Sequence, residues 1–259
     1  MSVLHPGALR GRTVLVTGAS RGIGAATALA LGAAGAHVAA HWRTSESDAA
    51  TALAAVPADR LELLHADLEQ PGAARGLWRS AVAWRDRVDV LVVNAAALPE
   101  TPMDGDDAAW DAGWEQAMRV NVLEPAALIR EAVGHFLQHG GGTIVVLSSW
   151  AAQQGSRLPE LTAYAASKAA IRSLAQTVAR THARDGIRVH VVAPGVVRTE
   201  MAAASDAGRG GADAVDAGLA MGRRVEPSEV ADLIAFLATD AAPSLTGGTI
   251  DLNGASYVR

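Results

Sequence analysis

Thr13-Val-Leu-Val-Thr17-Gly18-Ala19-Ser20-Arg21-Gly22-Ile23-Gly24 is the stretch on which the reading of the fold turns. Its first five residues are apolar or β-branched, the composition of a short buried strand. Glycines follow at 18, 22 and 24, and an Ala-rich segment over 22–34 then reads as a helix. A chain that leaves a strand and enters a helix this abruptly presents unpaired N–H groups and a positive dipole end at the turn. Glycine lets that backbone bend tightly and approach a ligand closely. Strand, glycine turn and helix in this order predict a pyrophosphate site made by Gly18, Ser20, Arg21, Gly22, Ile23 and Gly24.

The rest of the chain repeats the rhythm. Short apolar runs at His37–His41, Leu61–His65, Val88–Val93, Thr143–Leu147, Ile187–Val192 and Thr249–Leu252 read as strands. Between them, helices are expected over 46–55, 71–84, 107–138, 162–184 and 227–239. Continuous apolar strands alternating with helices predict a parallel sheet covered on both faces. The expected architecture is one α/β domain over 1–259, doubly wound and Rossmann-like, with a seven-stranded parallel sheet. Ala202–Gly222, rich in Ala, Gly and Asp, breaks the pattern and reads as a mobile lid over about 200–222.

The spacing T-G-x3-G-x-G over Thr17–Gly24 resembles the short-chain dehydrogenase/reductase family, and later motifs extend the resemblance across nearly the whole chain. It implies hydride transfer with a nicotinamide dinucleotide. By the same resemblance Asp67-Leu68 contacts adenine, although an Asp before a helix also serves as an N-cap. Asn94-Ala95-Ala96 corresponds to the family's N-A-G element, with Ala96 where Gly is usual. Pro194-Gly195-Val196-Val197-Arg198-Thr199 resembles its P-G-x3-T element, which implies nicotinamide contacts from Pro194, Gly195, Val197 and Thr199.

The cofactor is predicted from the end of the second strand. An NAD enzyme commonly places Asp or Glu there for the ribose 2′-hydroxyl. This chain has His41-Trp42-Arg43-Thr44-Ser45 instead, with no acid before Glu46. Arg43 and Arg21, helped by Thr44 and Ser45, suit a 2′-phosphate, because guanidinium offers paired donors and stays charged. NADP(H) is the expected cofactor.

Tyr164-Ala-Ala-Ser-Lys168 puts a phenol and an ammonium four residues apart on one helix face. A phenol titrates near pH 10, and a neighbouring ammonium favours its anion, which makes it a usable acid/base. The resemblance assigns Tyr164 as proton donor, Lys168 as its partner and nicotinamide-ribose contact, and Ser149 as the residue that orients the carbonyl. It further implies a kinked helix at Asn121 that holds a water in a proton relay to Lys168. The spacing from Ser149 to Tyr164 indicates a short insertion around Arg157–Leu161, and Trp150 is placed to wall a substrate pocket.

The expected function is reduction of a small-molecule ketone to a secondary alcohol, a 3-oxoacyl thioester or a polycyclic or aliphatic ketone being equally admissible. Two rivals stand beside it: an NAD-linked alcohol or sugar dehydrogenase, and a dinucleotide-binding scaffold without turnover. Net charge of −5 gives no case for nucleic acid or anionic membrane, and the absence of cysteine excludes thiolate chemistry. His135 and His139 have chelating spacing but no third ligand nearby, so no metal is expected. Ser149 lacks the G-x-S-x-G surround of a hydrolase nucleophile. No signal peptide or membrane span is read, a cytoplasmic location is expected, and Thr246–Leu252 resembles the family's subunit contact, implying a homotetramer or dimer.

Overall fold

The computed structural model describes residues 4–203, 206, 210–239 and 241–258. Strands β1 (Thr13–Val16), β2 (His37–Trp42), β3 (Leu61–His65), β4 (Val90–Val93), β5 (Gly142–Leu147), β6 (Ile187–Pro194) and β7 (Thr249–Leu252) form one sheet. Every pairing is parallel, and the spatial order is β3-β2-β1-β4-β5-β6-β7. The chain winds outward from β1 to β3, returns to the other side of β1 with β4, and winds outward again. Neighbouring loops therefore diverge at the β1/β4 junction, and a crevice opens outside the carboxyl ends of those strands.

Helices α1 (Gly22–Ala33), α2 (Glu46–Ala52), α3 (Ala73–Arg85), α4 (Asp107–Met118), α5 (Glu124–Gln138), α6 (Ala151–Gln154), α7 (Thr162–His182), α8 (Glu200–Ala203), α9 (Ala212–Ala217) and α10 (Pro227–Leu237) complete the fold. Alternation along each strand divides the core in two. Val14, Val16, Val90, Val92 and Val145 face α1 and α10. Leu15, Leu91, Val93, Ile144 and Val146 face the opposite layer of α3, α5 and α7. Both faces being covered explains why the strands read as unbroken apolar runs.

The expected helix over 107–138 is interrupted. Arg119–Leu123 forms a π turn, closed by the Glu124 N–H donating to the Arg119 carbonyl, five residues back. Such a turn inserts one residue into an α-helix and re-aims the side chains beside it. Strand β6 runs to Pro194, beyond the expected Val192, because it keeps pairing with β7 as far as Pro194–Leu252. The expected lid contains two short helices, α8 and α9. Arg224 is 3 % exposed and binds Asp206 through both terminal nitrogens at 2.9 Å and Asp216 through Nε at 2.7 Å. Residues 204, 205 and 207–209 of the expected lid lie outside the described residues. Among the described residues no helix is long and apolar enough to cross a membrane.

Candidate active site

A cleft of about 1300 Å³ runs along the carboxyl ends of the strands. At one end lies the glycine loop. The residue before α1, Arg21, gives no side-chain cap, and the first turn holds no acid, so the leading N–H groups of the helix face the cleft uncapped. Two glycines are required sterically. A Cβ on Gly24 would lie 2.0 Å from the Gly18 carbonyl oxygen, and Gly18 itself has φ +68° with the Ala95 backbone 3.0 Å from its ideal Cβ position. Asn94 holds the loop in place, its Nδ2 donating to the carbonyls of Thr17 at 2.8 Å and Gly18 at 3.1 Å. Thr17 Oγ1 accepts the backbone protons of Asn94 and Ala95. This bare, donor-rich and tightly packed turn fits a dinucleotide pyrophosphate.

At the other flank the catalytic candidates meet. Strand β5 ends at Ser148 and Ser149, and α7 places Tyr164 and Lys168 opposite them. Tyr164 and Ser149 share a side-chain hydrogen bond. Lys168 is 4 % exposed, donates from Nζ to the Leu147 carbonyl at 2.9 Å, and lies 5.8 Å from the centre of the Tyr164 ring. Ser148 donates to the Lys168 carbonyl at 2.9 Å, tying the strand end to the helix. Burial dominates the titration of both groups. It raises the Tyr164 phenol above its ordinary value, the Ser149 bond pulling the other way, and lowers Lys168 to about 8. Helix spacing predicts a phenol depressed by the ammonium; burial raises it instead, and the ammonium is turned to the Leu147 carbonyl.

Asn121 sits in the π turn, 2 % exposed. Its Oδ1 accepts from the Ala97 N–H at 2.8 Å, and its Nδ2 donates to the Ala97 carbonyl and to Ser167 Oγ, each at 2.9 Å. The amide thus brackets the loop after β4 to α7 and does not line the cleft. Asp67 also stays out of the cleft: its carboxylate accepts from the Glu69 N–H at 3.0 Å, a local turn bond, and the N-cap position of α3 is Gly72 instead. Gly18, Ser20, Arg21, Gly22, Ile23, Gly24, Arg43, Thr44, Leu68, Asn94, Ala95, Ala96, Pro194, Gly195, Val197 and Thr199 all line it.

Both arginines expected at a 2′-phosphate are ion-paired, Arg21 with Glu200 at 2.9 Å and Arg43 with Glu69 at 2.5 Å. Exposed pairs of this kind contribute about 0–1 kcal/mol, so they do not withhold the guanidinium groups from a doubly charged phosphate. His41, not among the residues singled out in the sequence, also lines the cleft and is 3 % exposed. An imidazole at a strand end beside a glycine loop was the available signal. His135 and His139 stack on each other with ring centres 3.9 Å apart, and His135 Nε2 accepts from the Val88 N–H.

Comparison with known proteins places this geometry. A family model described as enoyl-(acyl carrier protein) reductase matches residues 18–254. The chain is 33 % identical over 249 residues to 3beta-hydroxysteroid dehydrogenase 1 of Eggerthella lenta, covering 95 % of this chain and 94 % of that one. It is also 33 % identical over 259 residues to L-rhamnose 1-dehydrogenase (NAD(P)(+)) of a Sphingomonas species, covering 97 % and 98 %. The crystal structure of a 3-oxoacyl (acyl-carrier-protein) reductase from Agrobacterium tumefaciens C58 with NADP bound superposes with a TM-score of 0.86, at 34 % identity over 95 % of this chain and 94 % of that one. The chain belongs to the short-chain dehydrogenase/reductase family and is an NAD(P)-dependent oxidoreductase of that family.

Proposed function

We propose that this protein reduces a small-molecule ketone to a secondary alcohol with NADPH. The observation that carries the reading is the meeting of Ser149, Tyr164 and Lys168 on one cleft with an uncapped glycine-loop helix. When bound, the dinucleotide supplies the hydride. The rest of the chemistry falls to the chain. Tyr164 gives its hydroxyl proton to the carbonyl oxygen, and Ser149 donates a hydrogen bond that holds that oxygen beside it. Lys168 keeps a positive charge at the buried end of the phenol and favours the phenolate left behind. Asn121 fixes the loop after β4 against α7, and its Oδ1 keeps a second lone pair for a relay water.

Preference for the phosphorylated dinucleotide is supported by the missing acid at the end of β2 and by Arg21 and Arg43 lining that end of the cleft. A second reading, an NAD-linked alcohol or sugar dehydrogenase, has its own observation: Asp48 and Glu69 line the same end. Fluorescence titration with NADPH and NADH, on wild type and Arg43→Ala, decides between them. The reductase reading expects tighter NADPH binding that falls toward the NADH value in the variant. Equal or tighter NADH binding would move the search to alcohol oxidation, and no binding of either would leave a scaffold. A homotetramer or dimer in the cytoplasm belongs to the same reading, and sedimentation of the purified chain tests the assembly.

A further inference from the structure

Beyond Tyr164 the cleft is walled by apolar side chains, chiefly Trp150, Leu158, Leu161 and Val215. Arg157 stands among them. It is the centre of a loop fastened at both ends: Gln153 accepts from Arg172, and the Glu160 carbonyl accepts from the Thr101 N–H at 2.6 Å. Its guanidinium lies over the half-buried Trp150 ring, 5.7 Å from the centre. Stacking occupies a face of the guanidinium and leaves its in-plane donors free.

The other cations of the cleft serve other places. Arg21 and Arg43 line the glycine-loop end, where a 2′-phosphate is expected, Arg198 pairs with Glu226 at 2.8 Å, and Lys168 donates to the Leu147 carbonyl. Arg157 is the arginine of the cleft with no carboxylate partner among the described residues. Arg157 is exposed at the rim of that wall, and the acids that line the cleft, Asp48, Glu69 and Glu200, make no ion pair with it among the described residues. An apolar wall with one oriented guanidinium matches a molecule whose body is apolar and whose end is anionic.

We propose that Arg157 is the specificity-determining residue of the substrate end, and that the carbonyl substrate carries a carboxylate on an apolar body. This rests on the reductase reading for what happens to the carbonyl, but not for the anion site itself. Binding without turnover therefore tests it: calorimetric titration of the NADP+-loaded protein with cyclohexanecarboxylate and with cyclohexanecarboxamide, for wild type and Arg157→Gln. The two ligands share a ring and differ in charge. Wild type is expected to bind the carboxylate at least about tenfold more tightly, and the variant to bind both alike. Binding of cyclohexanecarboxamide by Arg157→Gln at the wild-type affinity separates loss of the anion site from a fold defect. No binding of the carboxylate at millimolar concentration, equal binding of the two by wild type, a preference that survives in Arg157→Gln, or tighter binding of cyclohexyl phosphate would overturn the proposal. Reduction of 4-oxocyclohexanecarboxylate by NADPH is measured separately. Its failure alongside an intact carboxylate preference would count against the reductase reading and not against the anion site.

Discussion

His41 accepts the Gly18 amide proton on Nδ1 at 2.9 Å and meets the Ala66 carbonyl through Nε2 at 2.9 Å. The Gly18 N–H can only donate, so Nδ1 carries no proton and Nε2 does. A neutral imidazole thereby ties the glycine loop to the ends of β2 and β3.

Protonation of His41 breaks that tie, because an imidazolium has no acceptor to offer Gly18. Burial holds the imidazole below its ordinary value. The Ala66 bond opposes this, His65 and Arg43 add to it, and Asp67 resists. As pH falls below about 6.5, the unfolded chain takes up the proton before the folded one, so stability declines on acidification. His41→Asn keeps an acceptor and cannot titrate. NADP+ affinity measured by calorimetry between pH 7 and pH 5 should fall at least about threefold further in wild type than in His41→Asn. His41→Leu should bind weakly throughout. Parallel pH profiles for wild type and His41→Asn would contradict this role.

Lys168 gives a prediction of the same sign in another pH window. Its ammonium, lowered to about 8 by burial, is a charge the folded state holds less readily than the unfolded chain does. Between about pH 8 and 10.5 the unfolded chain binds more protons, so stability rises with pH through that window. The gain relative to Lys168→Met, followed by urea denaturation of the dinucleotide-free protein, should be on the order of 3 kcal/mol. A flat difference across the window would show that the ammonium is solvated.

Arg224 binds Asp206 and Asp216, the latter in the segment of Ala214, Val215 and Gly218, which line the cleft. Arg224→Met keeps the bulk of the side chain and removes both pairs. Steady-state kinetics on the best carbonyl substrate should show KM raised by about tenfold with NADPH affinity unchanged. An unaltered KM would mean that the segment is positioned without Arg224.

Legibility in the sequence followed the range of the interactions. The central strands were readable because burial on both faces makes β1, β4 and β5 apolar runs bounded by turn residues, and the half-buried edge strands β3 and β7 still begin and end where expected. Thr17–Gly24 was readable because close backbone approach at Gly24 restricts the residue type that fits. The π turn at Arg119–Leu123 matches the kinked helix that the resemblance implies at Asn121, but periodicity alone reads 107–138 as one helix, because Asn121's partner Ala97 lies 24 residues away. Arg224 was hidden for a like reason: an Arg in a Gly- and Asp-rich stretch reads as a solvated charge until folding brings Asp206 and Asp216 around it. The raised phenol of Tyr164 belongs to the same class, because spacing gives the distance to Lys168 along the helix but not the dehydration of the cleft.

The central claim is that Tyr164 delivers the proton to the carbonyl oxygen. Tyr164→Phe removes one hydroxyl and leaves the ring, the cleft and the glycine loop in place. NADPH consumption in the presence of a ketone that wild type reduces is the measurement. The account predicts NADPH binding within about twofold of wild type and turnover lower by a factor on the order of 10³. Turnover within tenfold of wild type would contradict it and would pass the proton donor's role to another group of the cleft.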